Sequence, residues 1–279
     1  MRLLHGQRDL VGVRDDKCYI CGRANPGLWG FGPALRTLGS DFGFAPFVIG
    51  ISAVLYVLTL IASDSELGVL RGGFNILSPS TRALILFGAS GSIPVFALGS
   101  WWTVLSATWL HGGLLHIFFN MYWIRQLAPA VAEMYGAGRM VIVYTISAIA
   151  GFGLTSFAAQ YLPLPWPLSG APVTVGASAP IFGLLGALFY YGQRSGSSHV
   201  HAQAKQLALV MFIFGFIMPG VDNYAHGGGF LGGWLAGRWL DPLKPERVDH
   251  LAIAVACLAL SVLSVVLSVV VPIGFADCP

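Results

Sequence analysis

Charged side chains are scarce in this sequence: fifteen Lys and Arg and twelve Asp and Glu make up only 10% of its 279 residues. Soluble domains carry about 25% charged residues, so this chain has too little polar surface to cover a water-exposed globule. The mean hydropathy of +0.73 points the same way. The scarcity of charge excludes an ordinary soluble domain and predicts an integral membrane protein that contacts the lipid bilayer.

No run of basic residues is long enough to form a nucleic-acid patch, although the formal net charge is +3. Lys and Arg in cytoplasmic loops account for such a positive balance in a membrane protein, so no nucleic-acid partner is expected. Residues 1–44 also lack an early apolar core followed by a cleavage site. We therefore expect no signal peptide there, and we interpret 1–44 as a cytoplasmic arm.

Cysteine is rare, with four residues in the chain. Cys18 and Cys21 have the C-x-x-C spacing of half a zinc ribbon, but a closed structural zinc site needs four ligands and no second pair follows. His5 could supply a third ligand. Cys18 and Cys21 are thus incomplete metal candidates, and no cofactor is expected.

Long apolar runs are abundant, and each membrane helix needs roughly 20 apolar residues. Seven runs are predicted to be the helices of an all-α polytopic membrane protein: 45–62, 113–131, 140–159, 175–192, 205–218, 223–240 and 250–272. The fifth run, 205–218, is short for a full crossing, which is typical of a helix whose upper end is irregular or mobile. Residues 83–99 are apolar but broken by Gly, Ser and Pro, so we assign them to a long outer loop, 63–112.

The distribution of basic residues predicts the orientation in the membrane. With seven spans, thirteen of the fifteen Lys and Arg residues fall on one side, and only Arg71 and Arg82 fall on the other. Because cytoplasmic loops carry the excess of Lys and Arg, we expect the N-terminus in the cytoplasm and the C-terminus outside, in a bacterial inner membrane. The expected organisation is the arm 1–44, a six-helix core over 45–240, and a seventh helix with a short outer tail over 241–279.

Two predicted helices that begin on the outer side carry a hydroxyl and an imidazole at similar depth. Ser178 lies in the first turn of the fourth span, and His226 lies about one turn into the sixth, at 1.5 Å of rise per residue. Small residues spaced by four let membrane helices approach closely. Both spans have them: Ala179, Gly183 and Ala187 in the fourth, and Ala225, Gly229, Gly233 and Gly237 in the sixth. A Ser–His dyad for nucleophilic catalysis is therefore predicted, with Asp222 solvated in the turn before His226.

The second span carries two polar residues on one face, because His116 and Asn120 are four residues apart. Polar groups are costly in hydrocarbon, and within a membrane they indicate a functional role. With the backbone N–H of Ser178, these side chains could donate to the oxyanion of a tetrahedral intermediate. Metal binding is the alternative use of His116 and His226, but zinc would need a third ligand such as His111, and no H-E-x-x-H helix is present.

At these residues the sequence resembles the rhomboid family of intramembrane serine proteases, over roughly 45–240. The resemblance rests on three motifs in order: His116-x-x-x-Asn120, Gly176-Ala177-Ser178 and Ala225-His226-x-x-Gly229-x-x-x-Gly233. It implies that Ser178 is the nucleophile, that His226 is the general base, and that His116 and Asn120 line the oxyanion hole. It also implies supporting roles for Gly176, Phe182, Gly229 and Gly233, with Phe182 packed against the histidine. The span at 250–272 resembles the extra helix of the family's six-plus-one layout.

The sequence departs from the family pattern at several positions. The family's G-x-S-G ends here in Ala179, and its Trp-Arg pair in the first outer loop is Trp102-Thr103. Gly88-Ala89-Ser90-Gly91 matches G-x-S-G better than the segment around Ser178 does. We reject Ser90 as the nucleophile because no uninterrupted helix follows it and no histidine is placed at its depth.

The function implied by the resemblance is cleavage of transmembrane segments of other membrane proteins, just inside the outer face. A transmembrane helix satisfies its own backbone hydrogen bonds, so a substrate must unwind locally before it is cleaved. One alternative is a catalytically inactive rhomboid-like protein that binds transmembrane clients. A transporter is a second alternative, but it predicts charged groups deep in several helices and an internal repeat, and the sequence has neither.

Overall fold

The computed structural model describes residues 2–3, 10–11, 37–63, 68–70, 76–162, 164–165, 168–218 and 220–271. Within these residues the fold is mostly helical. Its long helices are α1 (Phe44–Ile61), α2 (Leu114–Tyr135), α3 (Ala137–Tyr161), α4 (Ser178–Ser195), α5 (Ser198–Ile217), α6 (Asn223–Trp239) and α7 (Val248–Val270). Cys18 and Cys21 lie outside the described residues, as does the tail 272–279.

Each long helix overlaps one predicted apolar run. Four of them, α1, α3, α5 and α7, are long and apolar enough to cross a membrane by length and composition. The other three, α2, α4 and α6, are less apolar on average because they carry polar side chains or many glycines. The chain is an integral membrane protein built mainly of helices, as the scarcity of charge predicted.

The prediction of a short fifth span is wrong. α5 begins at Ser198 rather than near residue 205, and it is 20 residues long. Its first two turns are polar, so hydropathy does not reveal them. The Ser197 hydroxyl accepts a hydrogen bond from the Val200 N–H at 3.4 Å, and a side-chain cap of this type starts a helix without apolar periodicity.

The segment between α1 and α2 contains a strand pair and short helical turns. Gly68–Leu70 pairs antiparallel with Ile76–Ser78, and the short helical segments are Thr81–Leu86, Ile93–Ala97, Thr103–Ser106 and Ala107–Trp109. In the described part of this segment no helix is long enough to cross a membrane. Near the N-terminus, Arg2–Leu3 pairs antiparallel with Leu10–Val11.

α4 lies at the centre of the helix packing, in contact with α2, α3, α5 and α6. Its side chains Leu184 and Leu185 are fully buried. α7 packs against α3 and against Thr103–Ser106, and the Trp102 indole N–H donates to the Ser268 hydroxyl at 3.1 Å. The seventh helix is thus attached to the segment before α2 as well as to the helical core.

Candidate active site

Glycine brings the backbones of α4 and α6 into direct contact. A Cβ atom on Gly229 would overlap the carbonyl oxygen of Ala179, and one on Gly233 would overlap that of Gly183. Backbone atoms cannot move aside as the end of a flexible side chain can, so these positions require glycine at the observed helix separation. The small residues that the sequence places on one face of α6 therefore lie where the two helices touch, and they hold the start of α6 beside the start of α4.

Ser178 is the first residue of α4 and is partly exposed. The chain reaches it through Gly176, whose φ of +130° is a conformation that L side chains rarely adopt. A Cβ atom on Gly176 would lie 2.6 Å from His116 Nε2 and 3.4 Å from Asn120 Nδ2. The glycine therefore lets the backbone before Ser178 lie directly on the two polar side chains of α2.

The His226 ring stacks on the Phe182 ring, with centroids 4.2 Å apart and 17° between the ring planes. Phe182 is one helical turn after Ser178, so both side chains project from the same side of α4. His226 is only 6% exposed, and its Nδ1 is buried without a hydrogen-bond partner among the described residues. The stacking holds the imidazole over the face of α4 on which Ser178 lies.

The hydrogen bonding of His116 indicates which ring nitrogen carries the proton. The Gly112 N–H donates to His116 Nδ1 at 3.3 Å, so Nδ1 is an acceptor and the proton of the neutral ring lies on Nε2. Nε2 is the ring nitrogen that faces Gly176. Asn120 Nδ2 is also buried and has no partner within the described part of the chain. Two N–H donors of α2 are thus directed at the backbone that precedes Ser178.

His111, the third histidine considered as a metal ligand, is fully buried and packs edge-to-face against His116, with ring centroids 5.2 Å apart. Among the described residues, no group of three or more His, Cys, Asp or Glu side chains is positioned to hold a metal ion. The metal alternative for His116 and His226 therefore finds no ligand set in this part of the chain.

The expectation that Asp222 is solvated is wrong. Asp222 is the N-cap of α6, and its Oδ1 accepts a hydrogen bond from the Ala225 N–H at 3.0 Å. The hydroxyls of Thr155 and Thr174 face the same carboxylate. Burial raises the pKa of the Asp222 carboxyl, and the hydrogen bonds that it accepts oppose this rise. Asp before a helix is a recognisable N-cap signal, but the two threonines come from distant parts of the sequence and give no local signal.

Ser90, in the competing Gly-Ala-Ser-Gly match, holds the loop before α4 in place. Its N–H donates to the Thr174 carbonyl at 3.0 Å, and the Thr174 N–H donates back to the Ser90 carbonyl at 2.8 Å. The Ser90 side chain is fully buried. A Cβ atom on Gly91 would overlap the carbonyl of Pro172. A Cβ atom on Gly88 would overlap the side chains of Ser106 and Ser268. Close packing against backbone at Gly91 and against side chains at Gly88, rather than chemistry, explains the glycines of this match.

The two departures from the family pattern have structural partners. The methyl group of Ala179 lies against α3, where a Cβ atom on Gly151 would be only 2.8 Å from it, so a glycine on the neighbouring helix compensates for the added volume. Thr103 is buried, and its hydroxyl donates to the Ser100 carbonyl at 2.7 Å. Thr103 therefore stabilises the local turn.

Comparison with known proteins finds a matched region that contains His116, Asn120, Ser178 and His226. A family model described as Rhomboid domain matches residues 98–242. The chain is 32% identical over 189 residues to Rhomboid protease GluP of Bacillus subtilis (strain 168), which covers 66% of this chain and 35% of that protein. It is 29% identical over 192 residues to Rhomboid-like protease 3 of Toxoplasma gondii, covering 64% of this chain and 62% of the relative. It is 32% identical over 166 residues to RHOMBOID-like protein 4 of Arabidopsis thaliana, covering 58% and 40%. The chain thus spans less than two thirds of the length of each of these relatives.

Proposed function

Since the chain belongs to the rhomboid family, we propose that it is an intramembrane serine endopeptidase that cleaves transmembrane segments of other membrane proteins. Ser178 is the nucleophile and His226 the general base of a catalytic dyad. The observation that supports this assignment most directly is the stacking of His226 on Phe182, one turn from Ser178. Two relatives that are named proteases support the type of reaction.

In the first step, His226 takes the proton of the Ser178 hydroxyl as the serine oxygen attacks the carbonyl carbon of the scissile peptide. The carbonyl oxygen of the substrate becomes negatively charged in the tetrahedral intermediate. His116 Nε2–H and Asn120 Nδ2–H donate to this oxyanion together with the N–H of Ser178, which begins α4 and has no acceptor within the helix. Donors arranged in advance of the reaction are each worth about 10²–10³ in rate.

In the second half of the reaction, His226 gives its proton to the leaving amine as the peptide C–N bond breaks, which leaves an acyl group on Ser178. Water then attacks the acyl carbon while His226 takes its proton as the base. The bond between the acyl carbon and the Ser178 oxygen breaks, His226 gives the proton to that oxygen, and the carboxyl product leaves. Gly176 supports both halves because it keeps the backbone at Ser178 against the donors of α2.

The proposed site lies just inside the outer face of a bacterial inner membrane, in six core helices plus α7, with the N-terminus in the cytoplasm and the C-terminus outside. The bias of Lys and Arg toward one side of the seven predicted spans supports this orientation. Transmembrane substrates reach the dyad laterally beside α5, as the family resemblance implies. Because a substrate helix must open its own hydrogen bonds before cleavage, Gly and other small residues near the outer interface favour a substrate.

The test is incubation of the purified full chain in lipid vesicles with a panel of single-span substrates, together with labelling by a fluorophosphonate. We expect Ser178→Ala to lose both cleavage and labelling because it lacks the nucleophile. Ser90→Ala is the matched control, and we expect it to retain both. Labelling that persists in Ser178→Ala would refute the assigned nucleophile, whereas a wild-type chain that binds the substrates without cleaving or being labelled would favour the client-binding alternative.

A further inference from the structure

Asp222 lies where α6, α3 and the loop before α4 meet, and the proposed chemistry does not use it. We propose that Asp222 is a positioning residue for the dyad: its carboxylate fixes the first turn of α6, and with it His226, relative to α3 and to the loop that leads to Ser178. This inference rests on the proposed function above. Two sets of contacts support it, one on each side of the carboxylate.

On the α6 side, Asp222 holds the backbone of the turn that carries the imidazole. Its Oδ1 accepts from the Ala225 N–H at 3.0 Å, and its backbone carbonyl accepts from the His226 N–H at 3.1 Å. His226 therefore depends on Asp222 for the hydrogen bond of its own backbone N–H. A shift of Asp222 moves the start of α6 and changes the distance from the imidazole to the serine hydroxyl.

On the other side, the carboxylate faces hydroxyls from two different segments. Thr155 of α3 accepts a hydrogen bond from the Ala171 N–H at 3.0 Å, which leaves its own proton to be donated to Asp222. Thr174 also faces the carboxylate, and its backbone is paired with Ser90. The loop that leads to Ser178 is thus tied to the same acid that caps α6.

A carboxylate suits this position better than the usual hydroxyl cap. An ionised Asp has two oxygens that accept in several directions, so one side chain can cap a helix and receive two hydroxyls. A buried carboxylate is costly unless hydrogen bonds compensate for its lost hydration. The Oδ2 atom is buried without a hydrogen bond of regular geometry among the described residues, so the lost hydration of the carboxylate is only partly compensated. A residue that only caps a helix does not need a buried carboxylate. A residue that holds α6 against both α3 and the loop before α4 does, because its oxygens must face all three.

The experiment compares Asp222→Ala and Asp222→Asn with wild type, using the full chain in vesicles. We expect Asp222→Ala to lower kcat and the rate of fluorophosphonate labelling between about tenfold and hundredfold, since small misplacements of catalytic groups have effects of this size. KM should stay the same because Asp222 does not touch the substrate. Asp222→Asn keeps an amide oxygen that can accept from the Ala225 N–H and places an NH₂ group toward the threonine hydroxyls. We therefore expect its kcat and labelling rate to be close to those of wild type.

Ser197→Ala is the matched control, because it removes the side-chain cap of α5 and leaves the dyad untouched. We expect its kcat to equal that of wild type. If Asp222→Ala does not fold, Thr155→Val and Thr174→Val test the same idea, because each removes one hydroxyl and keeps the cap; both should lower kcat at constant KM. A kcat within about twofold of wild type in the folded Asp222→Ala chain, or in both valine variants, would overturn the inference. A wild-type chain without labelling or cleavage would instead remove the proposed function.

Discussion

Asn120 Nδ2 is buried and has no hydrogen-bond partner among the residues that the structure describes, and a buried amide nitrogen in this situation costs a folded protein roughly 1–3 kcal/mol. His116 is arranged in a related way, since the Gly112 N–H holds its Nδ1 and leaves Nε2–H directed at Gly176. Both donors are set before any substrate is present. At the scale of single residues, the cost of leaving these N–H groups without acceptors is explained if they donate to the oxyanion, a charge that exists only during the reaction.

Replacing either donor tests this interpretation. We expect His116→Ala and Asn120→Ala each to lower kcat by about 10²–10³ with little change in KM, because the oxyanion is absent from the bound ground state. His199→Ala, which removes an exposed histidine of α5, serves as the control and should retain full activity. Steady-state kinetics in vesicles provides the measurement, and an unchanged kcat in both variants would exclude an oxyanion role.

The candidate site could be proposed from the sequence because its residues are few and polar and lie in an apolar chain. Ser178, His226, His116 and Asn120 stand out for this reason. The tautomer of His116 could not be predicted, since it depends on a backbone N–H that no residue type announces. The burial of the Asp222 Oδ2 atom could not be predicted either, because the threonines that face the carboxylate are distant in the sequence: Thr155 is 67 residues before it and Thr174 lies in a separate loop.

At the scale of helices, the sequence predicted where apolar segments lie better than where helices begin. Each of the seven long helices in the described residues overlaps one apolar run. This agreement follows because a membrane helix must be apolar over most of its length, and hydropathy detects that property. The start of α5 at Ser198 was missed because a polar first turn is stabilised by the cap from Ser197, which hydropathy does not register. The contact between α4 and α6 was predicted from sequence spacing, since small residues spaced by four let membrane helices approach closely.

The tightest point of that contact is Gly233, where a Cβ atom would overlap the Gly183 carbonyl. We expect Gly233→Ala to destabilise the fold by roughly 1–3 kcal/mol, because the added methyl forces the two backbones apart. The same shift separates the helices that carry Ser178 and His226, so the labelling rate should fall as well. Thermal unfolding in detergent and fluorophosphonate labelling are the measurements.

Gly227→Ala is the matched control on the same helix. A Cβ atom there meets only the ring of Phe212, at the ordinary contact distance of 3.8 Å. Since alanine is favoured over glycine inside a helix by roughly 0.5–1 kcal/mol, we expect this variant to be as stable as wild type or slightly more so. Equal stability of Gly233→Ala and Gly227→Ala would contradict the proposed backbone contact.

At the scale of the whole molecule, one buried arginine connects the helical core to α7. Arg139 is 1% exposed at the start of α3. Its guanidinium donates to the carbonyls of Leu240, Asp241 and Lys244 at 2.8–2.9 Å, all in the connection between α6 and α7. The sequence placed Arg139 among the cytoplasmic loop charges, because backbone carbonyl acceptors cannot be recognised from residue types.

Removing this guanidinium should therefore weaken the attachment of α7. We expect Arg139→Gln to lower the unfolding midpoint in detergent, since each buried carbonyl left without a donor costs roughly 1–3 kcal/mol. Arg194→Gln is the control at the same end of the molecule: Arg194 is half-exposed and contacts Asp241 at 3.6 Å, and exposed ion pairs contribute at most about 1 kcal/mol. If α7 and the helical core unfold together, Arg139→Gln lowers the midpoint of one shared unfolding transition. Identical midpoints for the two variants would mean that the arginine does not hold α7 to the core, and the attachment would then rest on contacts such as that of Trp102 with Ser268.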